Sequence, residues 1–219
     1  MTSTTAGNNF VAMPPIPDTQ TLLRLFVGGL VGLLVWELWA RFATPPVAGF
    51  PLEPPELVRT LIQYQTGITV SLTTATMLHY AVGIVGYPLA YWIVSRGLRR
   101  WGAILDVGVW LVFSAYVLWM AMSGKATGFI AFFWVLVTVL SATRIFNWNA
   151  IIADALSWGS FTWFNALGIF APLAAQPFLL LTEYAPLSFM SWAGHVIYGA
   201  IAVLVFEKWP ARAHATKVP

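Results

Sequence analysis

The sequence predicts an all-α, polytopic transmembrane helical bundle, and three observations carry that prediction. Only 9% of the residues are charged and mean hydropathy is +0.76, far from the roughly 25% charge of soluble domains. The few charges gather near the ends of apolar segments. Two runs, Thr60 to Ser95 and Tyr184 to Phe206, carry no Asp, Glu, Lys or Arg. Each can hold the roughly 20 apolar residues that cross a hydrocarbon core. A water-soluble fold is therefore excluded, and no polar block in the 219 residues is large enough for a second, soluble domain. The expected organisation is a flexible polar tail over 1–21, one transmembrane domain over 22–208 and a basic tail over 209–219.

The elements follow in order. Residues 1–21 have no basic stretch ahead of the first apolar run, which argues for a retained tail rather than a cleaved signal. The first helix is predicted over Leu22 to Phe42, with Gly28 and Gly32 forming a G-x-x-x-G that lets another helix approach closely. Between residues 43 and 56 stand Pro45, Pro46, Pro51, Pro54 and Pro55, so no regular helix is expected there. A short amphipathic turn over Glu56 to Gln65 precedes a second helix over Gly67 to Ser95, which Pro88 is expected to bend. The third helix, Trp101 to Met122, turns at Ser123, Gly124 and Lys125 into a fourth over Thr127 to Ile145. Asn147 to Ser160 reads as an interfacial helix. Residues 158–182, broken by Pro172 and Pro177, form either a fifth crossing or a re-entrant loop. The last helix runs from Leu187 to Phe206. Most of the twelve tryptophans fall near these predicted ends, as interfacial anchors do.

Charge asymmetry chooses between five helices and six. Six crossings with the N-terminus inside place Arg24, Arg96, Arg99, Arg100, Arg144, Lys208, Arg212 and Lys217 in the cytoplasm. Arg41, Arg59 and Lys125 then lie outside, a ratio of eight to three. A re-entrant 158–182 puts the basic tail outside and reverses the ratio to five against six. Six helices with both termini cytoplasmic is the prediction. The net charge of +3 is spread along segment ends, which suits anionic phospholipid and not nucleic acid. With no cysteine, disulfides and thiolate chemistry are excluded.

The candidate chemistry centres on two histidines. His79 and His195 sit near the middle of helices that run in the same direction, at similar depth, each within a repeated pattern: Ala75, His79, Gly83 and Ser191, His195, Gly199. The recurrence is the mark of a degenerate duplication. Two uses fit these imidazoles. They can be axial ligands of haem b or chlorophyll, with Gly83 and Gly199 leaving room beside a flat macrocycle. They can equally be hydrogen-bonded glue between helices. Whether they face each other is not deducible from the sequence.

Glu37 is expected to pair with Arg41 one turn on, and Asp106 to anchor the start of its helix near Arg99 and Arg100. Arg144, Asn147, Asn149 and Asp154 form an inner polar cluster, Asn165 can reach a histidine, and His214 belongs to a solvated tail. No P-loop, H-E-x-x-H or G-x-S-x-G occurs, so no catalytic residue and no metal site is assigned.

Four stretches carry a family resemblance: a Gly-rich first helix ending in Trp and Glu (GGLVGLLVWELWARF), a Pro-rich segment (TPPVAGFPLEPPELVR), a helix opening with His-Tyr (MLHYAVGIVGYPLAYW) and a closing helix with a central His (SWAGHVIYGAIAVLVF). In these the chain resembles the small bacterial inner-membrane proteins related to YagU. The resemblance implies a bacterial cytoplasmic membrane and transfers no activity. The leading functional expectation is a non-enzymatic accessory or structural subunit of a larger membrane complex, with phospholipid and other membrane subunits as partners. The alternatives are a tetrapyrrole protein using His79 and His195, or a small-solute or proton pathway along Glu37, His79, Asn165 and His195.

Overall fold

The computed structural model describes residues 13–98, 100–146 and 150–209, and in them the chain is helical. Residues 1–12 of the polar tail, Arg99, Asn147, Asn149 and the basic tail from residue 210, with Arg212, His214 and Lys217, lie outside the described residues. Helix α1 spans Thr19–Ala48, and α2 spans Pro54–Thr66. Helix α3 is Leu72–Gly97, α4 is Trp101–Met122 and α5 is Gly128–Phe146. Helix α6 starts as Ala150–Trp163 and continues through a π turn, Phe164–Phe170, into Ala171–Leu173. A 3₁₀ turn, Phe178–Leu180, leads into α7, Leu181–Lys208.

Local chemistry sets these ends. The Asp18 carboxylate accepts from the Thr21 amide at 2.7 Å, and Ser71 Oγ accepts from the Thr74 amide at 3.0 Å, which caps α1 and α3. Two prolines start α2, and Gly67, at φ +73°, ends it. Helix α2 was expected only as a short turn. It is a full 13-residue helix with no buried residue, lying across one end of the bundle.

The prolines act otherwise than the sequence reading expected. Pro45 and Pro46 do not stop the first helix, which continues past them to Ala48. A π turn, Trp39–Ala43, precedes them, and the turns Val82–Gly86 and Phe164–Phe170 precede Pro88 and Pro172 in the same way. In each case proline follows the last π residue by two. The physical reason is that proline offers no N–H and its ring crowds the carbonyl one turn back, so a local i→i+5 turn widens the helix ahead of it. One carbonyl is left over each time, because its next amide is taken and the one after belongs to proline. Ala40 O finds the Leu52 amide at 3.3 Å, and Gly83 O finds Tyr198 Oη at 2.6 Å.

Close packing between helices is made by glycine. A Cβ on Gly28 would lie 2.7 Å from Ala202 O, and one on Gly32 3.0 Å from the Tyr198 ring, so the G-x-x-x-G is a contact between α1 and α7. Gly29 faces the other way, onto Ile84 O and Pro88 of α3. Helices α6 and α7 meet at Gly159 and Gly199, where either Cβ would fall within 2.6 Å of the other helix's backbone.

Four helices are long and apolar enough to cross a membrane: α1, α3, α4 and α7 with its leading turn. That is two fewer than the six predicted. The apolar part of α5 is shorter, and α6 carries Ser157, Ser160 and Thr162, all buried. Their hydroxyls are satisfied locally: Ser157 by Ala153 O, Thr162 by Gly159 O, and Ser160 Oγ by the Trp192 indole. The polarity of α6 thus belongs to the bundle interior. Its length is that of its neighbours, from Asp154, paired with Arg144 at one end, to Leu173, whose carbonyl accepts from Gln65 of α2 at the other.

Tryptophan is the second departure. Trp36, Trp92, Trp101, Trp158, Trp163 and Trp192 are all buried, so half of the twelve are core residues and not interfacial anchors. They build two aromatic cores, one of Phe113, Phe133 and Trp163, the other of Tyr91, Trp101 and Trp158, with edge-to-face and tilted rings 5.1–6.0 Å apart.

Two ion pairs stand at the end away from α2. Arg96 binds both oxygens of Glu207 at 3.0 Å, and Tyr91 donates to the same carboxylate at 2.9 Å. Arg144 pairs with Asp154 beside Gly102, where a side chain would displace the guanidinium. Asp106 lies near the start of α4, as expected, and Arg99, one of its two expected neighbours, is outside the described residues. Asp106 is 5% exposed, and Ser141 of α5 donates to it at 3.4 Å.

Candidate functional site

A cavity of about 320 Å³ lies under α2, walled by α1, α3, α6 and α7. Most of its lining is apolar: Leu57 and Leu61 from α2, Val82 from α3, and Leu167 and Phe170 from α6. One polar edge holds His79 of α3, with Ser191 and His195 of α7, and Glu53, Glu56, Thr60 and Gln176 stand on the side of α2 and the turn before α7. Trp36 of α1 joins the two histidines. Its indole centroid is 5.5 Å from that of His79 and 5.6 Å from that of His195, tilted against the first and edge-on to the second.

Helix periodicity explains the convergence. Gly28, Gly32 and Trp36 recur every four residues and so form one stripe, in which the two glycines bring α1 onto α7 and Trp36 continues the contact. The Trp36 N–H is buried against α7, 3.2 Å from where a Cβ on Gly194 would stand. The absence of that Cβ lets the ring reach His195. Trp39, one turn nearer α2, donates to the Met190 carbonyl at 2.8 Å and fixes the same crossing.

The hydrogen bonds fix what His195 can offer. Its Nδ1 is 2.7 Å from the Ser191 carbonyl, and a carbonyl can only accept, so Nδ1 carries the proton and Nε2 the lone pair. His79 is backed by a carboxylate in a similar way. Its Nε2 stands 3.4 Å from Glu37 Oε1, and Arg41 holds Glu37 Oε2 at 2.7 Å. At 3.4 Å this is an electrostatic contact, not a well-formed hydrogen bond, and it turns the Nε2 side of the ring away from the cavity centre toward α1.

The residues singled out from sequence fall into three groups. His79, His195 and Gly83 line the cavity, with Gly83 packed on Leu33 of α1. Glu37 pairs with Arg41, as expected, and also reaches His79. Gly199 lies elsewhere: the room beside it, which the sequence reading gave to a macrocycle, is filled by the backbone of Gly159 on α6. Asn165 does not meet a histidine, and its Oδ1 accepts from Tyr87 Oη at 3.0 Å. Trp36 and α2 are the two parts that sequence reasoning missed. The four-residue stripe that carries Trp36 was legible, but its outer member was counted as an anchor.

Among the described residues no three His, Cys, Asp or Glu side chains gather to hold a metal ion. Scans of family models, curated proteins and solved structures find no match to this chain.

Proposed function

We propose that this is an integral membrane protein that receives a small, largely apolar molecule in the cavity beneath α2, with His79 and His195 as its polar end. One observation carries the reading: two imidazoles from different helices share one indole at the edge of a mainly apolar cavity. Its volume is at the low end of ligand pockets, which run from about 300 Å³ upward. Trp36, packed on both rings, takes the place a tetrapyrrole would need between them, so the arrangement favours a smaller guest. The accessory-subunit reading draws on Trp-rich ends, small-residue contact faces and scarce intramembrane charge, and many of those tryptophans and glycines are taken up in packing within the bundle.

In this reading α1, α3, α4, α5, α6 and α7 all cross the membrane, with both termini cytoplasmic and α2 on the opposite surface. Support comes from charge. Arg24, Arg96, Arg144 and Lys208 belong to one end of the bundle, and Arg41, Arg59 and Lys125 to the other. The resemblance to YagU-related proteins favours a bacterial inner membrane as its location.

Photolabelling tests the cavity. A small aryl diazirine is expected to insert saturably into Ala166 to Ala171 of the full-length protein in nanodiscs, and excess 2,6-dimethylanisole to compete. Thr60→Trp, which plugs the cavity from the half-buried helix α2, is expected to abolish that insertion. Labelling confined to outward-facing residues such as Leu118 and Val139 would overturn the reading. The cysteine-free chain also reports its own topology. Single Ser123→Cys is expected to react with an impermeant maleimide from outside, and Ala150→Cys only after permeabilisation.

A further inference from the structure

We infer that the guest of this cavity is a molecule with an aromatic body and a neutral hydroxyl head, and that the hydroxyl donates its proton to an imidazole lone pair. The inference rests on the reading that the cavity takes a guest, and it names the guest's chemistry.

The head group follows from what the polar edge has to offer. His195 spends its N–H on the Ser191 carbonyl, so toward a guest its Nε2 is an acceptor. The His79 Nε2 side faces the Glu37 carboxylate. The π turn in α6 adds a further acceptor to the wall. Leu167 O loses both helical partners, since the Ala171 amide is taken by Ala166 O and residue 172 is proline. The Trp36 N–H is turned away against α7, and beside His195 the Ser191 hydroxyl can donate as well as accept. The His195 lone pair selects a guest that donates, and a hydroxyl can at the same time accept from Ser191.

Charge and shape narrow the class. A carboxylate or phosphate would meet lone pairs with Glu37 behind them, and is disfavoured. At the imidazole end a cation would have to leave water for a wall that is mainly aliphatic and aromatic, with Glu37 committed to Arg41, Glu56 paired with Arg59 and Glu53 exposed on the α2 side. A neutral hydroxyl avoids both costs. Trp36, Tyr87 and Phe170 line the same space, and their rings favour a flat aromatic body over a flexible chain. Phenols and hydroquinones share this chemistry.

The test uses two probes of one shape. In the photolabelling competition above, 2,6-dimethylphenol carries the donor and 2,6-dimethylanisole carries the same ring without it. The phenol is expected to displace the label at about tenfold lower concentration, the difference one net hydrogen bond makes. In His195→Leu the two are expected to compete within about twofold of each other. If His195→Leu yields no folded protein, His195→Asn serves, because its shorter amide can keep the bond to the Ser191 carbonyl where Nδ1 stood and cannot place an acceptor at the Nε2 position. Equal competition in the wild type would overturn the inference and leave the cavity reading intact. A preference for phenol that survives both substitutions would overturn the role given to His195. If no probe displaces the label, the cavity reading falls and the inference with it.

Discussion

Gly159→Leu is expected to yield no folded bundle, and Gly159→Ala to unfold well below the wild-type temperature. A Cβ at this position would stand 2.4 Å from Val196 Cα and 2.5 Å from His195 O. Both are backbone atoms, so no rotamer change relieves the clash and α7 must move as a body. Overpacked cores commonly cost about 1–3 kcal/mol, and a backbone-to-backbone clash belongs at or above the top of that range. The neighbouring geometry offers no slack, because Gly199 on α7 is held as tightly against Gly159 from the other side. Gly108 provides the contrast. Nothing lies within 4 Å of its Cβ position, so Gly108→Ala is expected to leave the unfolding temperature unchanged or raise it, by up to about 1 kcal/mol of helix propensity. Thermal unfolding in mild detergent, followed by circular dichroism, reads both. Gly159→Ala melting with the wild type would show that the α6–α7 contact is looser than described. The same displacement would move His195, so probe competition at the cavity should weaken along with stability.

That prediction shows where the sequence was legible and where it was not. The apolar runs and their charged borders are one-dimensional signals, and they located the ends of α4 to the residue and those of α1, α3 and α7 to within six residues. The recurrence around His79 and His195 was also legible, and the two rings do share a cavity edge. What a pattern cannot carry is the direction in which a small residue faces. Gly83 and Gly199 occupy the same place in the repeat, yet one lines the cavity and the other seals a helix crossing. The difference lies in which neighbour each helix meets, a tertiary matter. The tryptophans failed for a related reason, since position near a predicted helix end says little when helices overrun those ends. Trp36 lies on the Gly28 and Gly32 stripe that faces α7, and that stripe determined its burial. Helix α2 was underestimated because prolines were counted as breakers, whereas Pro54 and Pro55 occupy the first turn, where no amide is required.

The prolines also permit a sharper test, in which one substitution is expected to cancel another. Tyr198→Phe removes the hydroxyl that serves Gly83 O at 2.6 Å, and nothing on α3 can replace it. The Tyr87 amide is already bonded to Val82 O, and residue 88 has no amide to give. A buried carbonyl left without a partner costs about 1–3 kcal/mol. Hydrogen bonds between membrane helices average only about 0.6 kcal/mol, because the alternative state usually finds a partner as well. Here proline denies that alternative, so roughly 1–2 kcal/mol is expected. Pro88→Ala supplies the missing N–H one π turn along. In that background Tyr198→Phe should cost only a few tenths of a kcal/mol. The coupling between the two positions should therefore be about 1 kcal/mol, within the range found for residues that share a partner. SDS titration of the four proteins in mixed micelles measures it. The Pro88→Ala change also loses the ring packed near Gly29, but that loss appears on both arms of the cycle and cancels. Additive effects would mean that the Tyr198 hydroxyl does not compensate for proline. The link from Pro88 through the π turn to the α3–α7 contact would then be wrong.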